Sequence, residues 1–248
     1  MKKVLIIVCS YNSRNYTEKL YNDLKDVENI HLLIVDNSSA EEHISNFPPY
    51  IHIGYENVEY GGMHDFILGI NEIYNYDFVG IFSNDIFGFS NKHFETLQRY
   101  LADDVGYCSF SISPLHDVCA GVMHPVTSTC REVSFIENVA PIYNVKLLRE
   151  LQKVRPTHKY GLIDVYMSIK SQEMGMKNII IDEVSFHHIR SGVRKQVNSF
   201  ENYIGGYVAA HNDWVRAHPD MINYLCSPEN IPAQLQRNKI ARQILSVS

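Results

Sequence analysis

The sequence predicts a doubly wound α/β domain with a mostly parallel sheet flanked by helices, and three observations carry that prediction. Residues 4–9 (VLIIVC), 31–35 (HLLIV) and 78–82 (FVGIF) are short, almost unbroken apolar runs. Such runs belong to strands covered on both faces, as in a parallel sheet under helices. Between them, apolar residues recur with helical period, so strand and helix alternate along the first hundred residues. Repeated β-α-β units of this kind wind into a parallel sheet. Finally, the apolar runs end in Ser10-Tyr11-Asn12, Asp36-Asn37-Ser38 and Ser83-Asn84-Asp85, which is turn chemistry.

Taken in order, residues 4–9 form the first strand. Tyr16, Leu20 and Leu24 then recur every fourth residue, a helix face with Asn15 or Thr17 near its start. Residues 31–35 make the second strand and 50–53 a short third. Met63, Phe66, Ile67, Ile70 and Tyr74 mark one amphipathic helix that begins after Gly61-Gly62. Residues 78–82 follow as the fourth strand, and Phe94, Leu97 and Leu101 give another helix face. Further on, 105–112 and 121–125 read as strands and 145–151 as a helix. A second helix over 165–174 stops at Gly175, and 179–181 and 184–187 read as two short strands. From about residue 199 the chain reads helical, broken by Pro219, Pro228 and Pro232. The expected organisation is one α/β domain over 1–195 and a C-terminal helical appendage over 196–248.

Composition narrows the function classes. The chain has 248 residues, 45% apolar and 20% charged, which excludes a disordered tail, a collagen-like fibre and a coiled-coil rod. The net charge of −6, with no strongly basic stretch, disfavours duplex DNA as a partner. Five cysteines with no C-x-x-C pair fit a reducing compartment and argue against a zinc knuckle. The opening Met1-Lys2-Lys3 before an apolar run imitates a signal peptide, but the run is too short and no small-residue cleavage site follows. No apolar stretch approaches the roughly 20 residues of a membrane span. The expectation is a cytoplasmic protein, with peripheral attachment to the inner face of a membrane left open.

In an open parallel sheet, ligands bind beyond the carboxyl ends of the strands. Four such ends here carry polar groups: Ser10-Tyr11-Asn12, Asp36-Asn37-Ser38, Glu56-Asn57 and Ser83-Asn84-Asp85. One would be ordinary turn chemistry; four on one edge point to a site for a polar ligand. No G-x-G-x-x-G follows the first strand and no G-x-x-x-x-G-K-[ST] occurs, which disfavours dinucleotide and P-loop enzymes. Gly61-Gly62 before a helix start is either a tight loop or a place where free backbone N–H groups meet a phosphate.

These residues resemble a known family. VLIIVCSYN resembles the opening strand of the GT-A glycosyltransferases of glycosyltransferase family 2, which ends in T-Y-N or S-Y-N, and LIVDNSS resembles the family's V-D-N-x-S. ENVEYGGMHDFILGIN resembles its N-x-G-x-x-G-x-N-x-G region with changed spacing. Ser83-Asn84-Asp85 stands where the family has its metal-site D-x-D or N-P-D. GLIDVYMSIKSQEMGMKNIIIDEVSFHH resembles its late E-D-x-D, R-x-x-x-G and Y-H-H segments. The likeness runs over residues 4–190 and is closest to the rhamnosyltransferase-like branch.

The resemblance implies a GT-A (Rossmann-like) sheet and a nucleoside-diphosphate sugar donor, UDP- or dTDP-linked, with Mn²⁺ or Mg²⁺. It further implies inverting transfer to an acceptor hydroxyl on a glycan, lipid-linked glycan or other molecule. By position, Asp36 and Asn37 hold the base or ribose with Ser10, Tyr11 and Asn12 around them, where a carboxylate accepts hydrogen bonds from ring N–H or hydroxyl groups. Gly61, Gly62, Ser83, Asn84 and Arg190 complete the donor site, with Arg194 and Lys195 nearby. Asp85 is the metal carboxylate, with His187 or His188 as an imidazole ligand. Asp164 is the base that takes the acceptor proton. The bland readings are a helix cap for Asp36, a β-turn acid for Asp85 and a helix-dipole partner for Asp164. Ser83 stands where the family has its first Asp, Ile163 where it often has Glu, and Tyr166 where it has a later Asp. Two alternatives follow: a nucleotide-sugar-binding module without catalysis, and the same chemistry on a modified nucleobase.

Overall fold

The computed structural model describes residues 1–45, 47–48, 50–54, 58–113, 123–154 and 163–189. The appendage expected over 196–248 lies outside the described residues, as do Arg190, Arg194 and Lys195 and the strand-end pair Glu56-Asn57. Along the chain come β1 (Val4–Ser10), α1 (Arg14–Leu24), β2 (Ile30–Asp36), β3 (Tyr50–His52), α2 (Glu59–Leu68), β4 (Phe78–Ser83) and β5 (Ile86–Phe87). There follow α3 (Asn91–Tyr100), β6 (Val105–Ile112), β7 (Cys130–Glu132), β8 (Ile142–Asn144), α4 (Val145–Val154), α5 (Ile163–Glu173) and β9 (Lys177–His188).

The strands join in the order β3-β2-β1-β4-β8-β6-β9-β5, with β7 on β9. Parallel pairings join β3, β2, β1 and β4, and β6 with β9. Because β8 runs against both β4 and β6, those six strands share one direction, and β5, β7 and β8 oppose them. The sheet is therefore mixed but mostly parallel, flanked by helices. Its interior follows the sequence pattern: Val4–Val8 of β1 and every residue of β6 are buried. Within β6, Ser109 and Ser111 are tolerated because their hydroxyls donate to the carbonyls of Ala140 and Ile181. Phe89, Phe94, Phe110 and Phe186 pack ring on ring around His93, seating α3 on β6 and β9.

Three expectations need correction. The helix expected to run through Tyr74 stops at Leu68, because Gly69 caps it with its N–H on the Asp65 and Phe66 carbonyls. A 3-10 turn over Asn71–Asn75 then continues the apolar stripe. The two strands expected over 179–181 and 184–187 are one strand, β9, with a register shift against β6 that leaves Asp182, Glu183 and Val184 between paired segments. Of the strand expected over 121–125, the described residues 123–125 lie outside any strand, and the extended segment is β7. No helix among the described residues is long and apolar enough to cross a membrane.

Candidate functional site

The carboxyl ends of β1, β2, β3 and β4 form one edge, and register places their polar residues side by side. Ser10 is paired with Asp36, Asp36 with His52, and Cys9 with Ser83. Beyond β1, Asn12 takes a left-handed backbone (φ 45°), which asparagine tolerates better than most residues. That turn lets its N–H donate to Ser39 Oγ and its Oδ1 accept the Ala40 N–H, both at 2.8 Å, tying the β1 and β2 loops together. Asn37 Oδ1 accepts the Val58 N–H at 2.9 Å and fixes the approach to α2.

Beneath this rim lies a buried polar layer. Asn84 donates to both Ser13 Oγ and Thr17 Oγ1, and Thr17 Oγ1 lies 2.8 Å from Ser10 Oγ. The first turn of α1 is thus bolted to the ends of β1 and β4. Asp36 belongs to the same layer, with no solvent exposure. Its Oδ1 accepts the Ser39 N–H at 2.8 Å and lies 2.9 Å from His52 Nδ1; its Oδ2 accepts the Ser39 hydroxyl at 2.6 Å. Burial, with the Asp36 charge adding to it, raises the Tyr50 phenol above its ordinary value. Of the residues expected to hold the nucleotide sugar, Ser10, Asp36, Asn37 and Asn84 are therefore buried, while Tyr11, Asn12 and Ser83 are partly exposed.

Gly61 and Gly62 are inside α2 rather than before it, since the helix starts at Glu59. A Cβ on Gly62 would sit 2.8 Å from Val58 Cβ, so this position keeps the helix start tight against the residue before it.

At the β4 end, the Ser83 hydroxyl donates to Asp85 Oδ1. The short β5 pairs with the end of β9, Ile86 against His188 and Phe87 against His187. Alternate residues of a strand face opposite sides, so the two histidines part. His188 Nε2 comes 3.7 Å from Asp85 Oδ1, while His187 stacks on Phe87 at 5.0 Å between centroids. Gly88, at φ +92°, admits this stack: a Cβ there would lie 3.0 Å from His187 Cδ2. Asp85 and His188 offer one hard oxygen and one imidazole nitrogen, a donor pair that Mn²⁺ accepts. Among the described residues no third His, Cys, Asp or Glu joins them, so a cation held there would take its remaining ligands from outside this set.

Asp164 lies in the first turn of α5, where a carboxylate suits the helix dipole. Burial, with the Asp164 charge adding to it, raises the Tyr143 phenol well above its ordinary value. Sequence reasoning missed His52, Ser13, Thr17 and Ser39. Ser13 and Ser39 carry no signal apart from turn composition, and Thr17 reads only as a residue near a helix start; His52 stood near the end of an expected strand and could have been found there.

No family model matches the chain. No curated protein sequence matches it. Solved structures do. The mannosyltransferase PcManGT from Pyrobaculum calidifontis, in complex with GDP-Man and Mn²⁺, superposes with a TM-score of 0.64 at 14% identity, covering 99% of this chain and 74% of that one. S. aureus TarS 1–349 in complex with UDP-GlcNAc gives 0.62 at 14% identity, covering 97% and 77%. The chain therefore has the fold of GT-A-like glycosyltransferases.

Proposed function

We propose that this chain is a nucleotide-sugar-dependent glycosyltransferase of the family 2, rhamnosyltransferase-like kind, using a UDP- or dTDP-linked donor. One observation carries the reading. The carboxyl edge of β1, β2 and β4 gathers Ser10, Asp36, Ser83 and Asp85, with His188 beside the last, in a fold shared with enzymes seen bound to GDP-Man and UDP-GlcNAc. Open α/β sheets bind ligands at this edge.

The nucleoside lies over the β1–β2 ends, between Tyr11, Asn12 and the β2 loop, and the diphosphate points toward Asp85. Asp85 and His188 would hold a divalent cation, whose chemistry is to neutralise charge on the departing diphosphate. The acceptor oxygen attacks the anomeric carbon while the bond from that carbon to the diphosphate oxygen breaks, and the diphosphate leaves with the bonding pair. Asp164 takes the acceptor proton as the new bond forms, and attack on the face opposite the departing diphosphate inverts the anomeric centre. Arg190 belongs to the proposed donor site by sequence position.

Thermal unfolding with UDP-, dTDP- and GDP-sugars, with and without Mn²⁺, tests donor binding. A ligand at a hundred times its Kd stabilises the folded state by about 2.7 kcal/mol. Release of free sugar from the stabilising donor supports the enzyme. Donor binding without transfer or hydrolysis under any condition would support the binding-module alternative, for which Ser83 and Ile163, each standing where the family has an acid, are the motivating features.

A further inference from the structure

The register line Ser10, Asp36, His52 crosses three parallel strands at the rim, and its members differ in exposure. Ser10 and Asp36 are buried, while the His52 side chain is 35% exposed. Asp36 has already spent both oxygens on Ser39 and His52, so it presents no surface to a ligand. The outermost polar group on this line is the far side of the His52 ring.

We propose that His52 is the residue that touches the nucleobase, and that buried Asp36 is a positioning residue that orients it. The proposal rests on the nucleotide-sugar reading above. Asp36 Oδ1 lies 2.9 Å from His52 Nδ1, and a carboxylate can only accept, so Nδ1 carries a hydrogen. In the neutral ring Nε2 is then an acceptor. Among the described residues Nε2 has no hydrogen-bond partner. An acceptor at the nucleoside end matches a ring imide N–H, as at N3 of uracil and thymine. Cytosine, of the same size, presents an acceptor at N3, and two acceptors repel. Ser39 holds the carboxylate through both its N–H and its hydroxyl, and the carboxylate fixes which imidazole nitrogen faces out, as carboxylates orient metal-binding histidines.

The test is calorimetry of UDP, dTDP and CDP on the full chain, His52→Ala, His52→Gln and Asp36→Asn, with circular dichroism confirming that each variant is folded. The unaltered protein should bind UDP and dTDP about tenfold tighter than CDP, the value of one well-made hydrogen bond against an unmatched one. His52→Ala should lose that preference by weakening UDP alone. His52→Gln, whose amide oxygen accepts, should keep part of it. Asp36→Asn should lower the preference while CDP binding stays unchanged, a change in selectivity that a purely structural role does not produce. Equal binding of UDP and CDP by the unaltered protein, or an undiminished preference in His52→Ala, overturns the assignment and leaves the glycosyltransferase reading standing. If the unaltered protein binds no nucleoside diphosphate, both readings fall.

Discussion

Arg131→Met removes the charged partner of a carboxylate that has no solvent of its own. Asp182 sits in the register shift of β9 with its side chain fully buried; Arg131 Nε lies 2.8 Å from its Oδ2. Four neutral donors also reach it: the Ser111 hydroxyl, the N–H groups of Val126 and Thr127, and the Thr127 hydroxyl. Together they pin the segment before β7 onto β9, a few residues upstream of His187 and His188. Breaking a buried ion pair by removing one partner costs about 3–5 kcal/mol. The four remaining donors and the 16% exposure of Arg131 put this case at the lower end, about 3 kcal/mol. For a chain of this size that lowers Tm by roughly 6–12 °C. Urea unfolding at pH 7 followed by circular dichroism should show a lower midpoint at unchanged slope. The effect carries a pH signature. Burial pushes the Asp182 carboxyl up, but Ser111, Arg131 and the two amides outweigh it and hold the group below its ordinary value. Its stabilisation is therefore present above the unfolded carboxylate value of about 4 and is lost as pH falls through the folded one. The gap between the two proteins should close in acid. A variant within about 0.5 kcal/mol of wild type at pH 7, the usual range for a surface substitution, would refute the argument, as would a gap that persists in acid.

Three further outcomes are expected. If Asp85 is a metal ligand, Mn²⁺ should raise nucleotide-sugar affinity and Asp85→Asn should abolish that gain; equal binding in chelator and in Mn²⁺ would make binding metal-independent. Asp164→Asn should lower kcat by about 10²–10⁴-fold with donor affinity nearly intact, and wild-type turnover with the true acceptor would remove it as the base. Burial lowers the pKa of His93, so the folded state binds its proton less readily than the unfolded state does. Stability is then full above about pH 6.5 and falls as pH drops below it. His93→Gln should flatten the Tm profile between pH 5 and 6.5, and an unchanged slope there would show that other groups govern it.

Much of the fold was legible because buried parallel strands write themselves as apolar runs. Residues 105–112 were placed as a strand from sequence and are β6, all eight positions buried. The helix expected over 165–174 is α5, with Asp164 in its first turn. The strand-end residues were legible for the same reason: a buried strand must stop where polar residues begin, and β1, β2 and β4 stop at Ser10, Asp36 and Ser83. Of the two- and three-residue strands, β3 (Tyr50–His52) was legible within residues 50–53, whereas β5, β7 and β8 were not. β5 and β8 are too short to show a period, and they exist because β9 and β4 supply partners about a hundred and about sixty residues away in the chain.

That polar groups line one sheet edge follows from the order of residues alone. Which of them face outward follows from the packing. Asp36 and Asn84 look like ligand residues in a string of letters, but both are enclosed: Asp36 by its near neighbour Ser39 and by His52 brought from β3, Asn84 by Ser13 and Thr17 brought from the start of α1. The two adjacent histidines are equivalent in sequence, and the β5–β9 pairing separates them, His188 beside Asp85 and His187 on Phe87. Exposure and pairing are properties of contacts between segments distant in the chain. Local propensity carries no record of them, because a hydrogen-bonding side chain has the same composition whether its partner is a neighbour, a ligand or water.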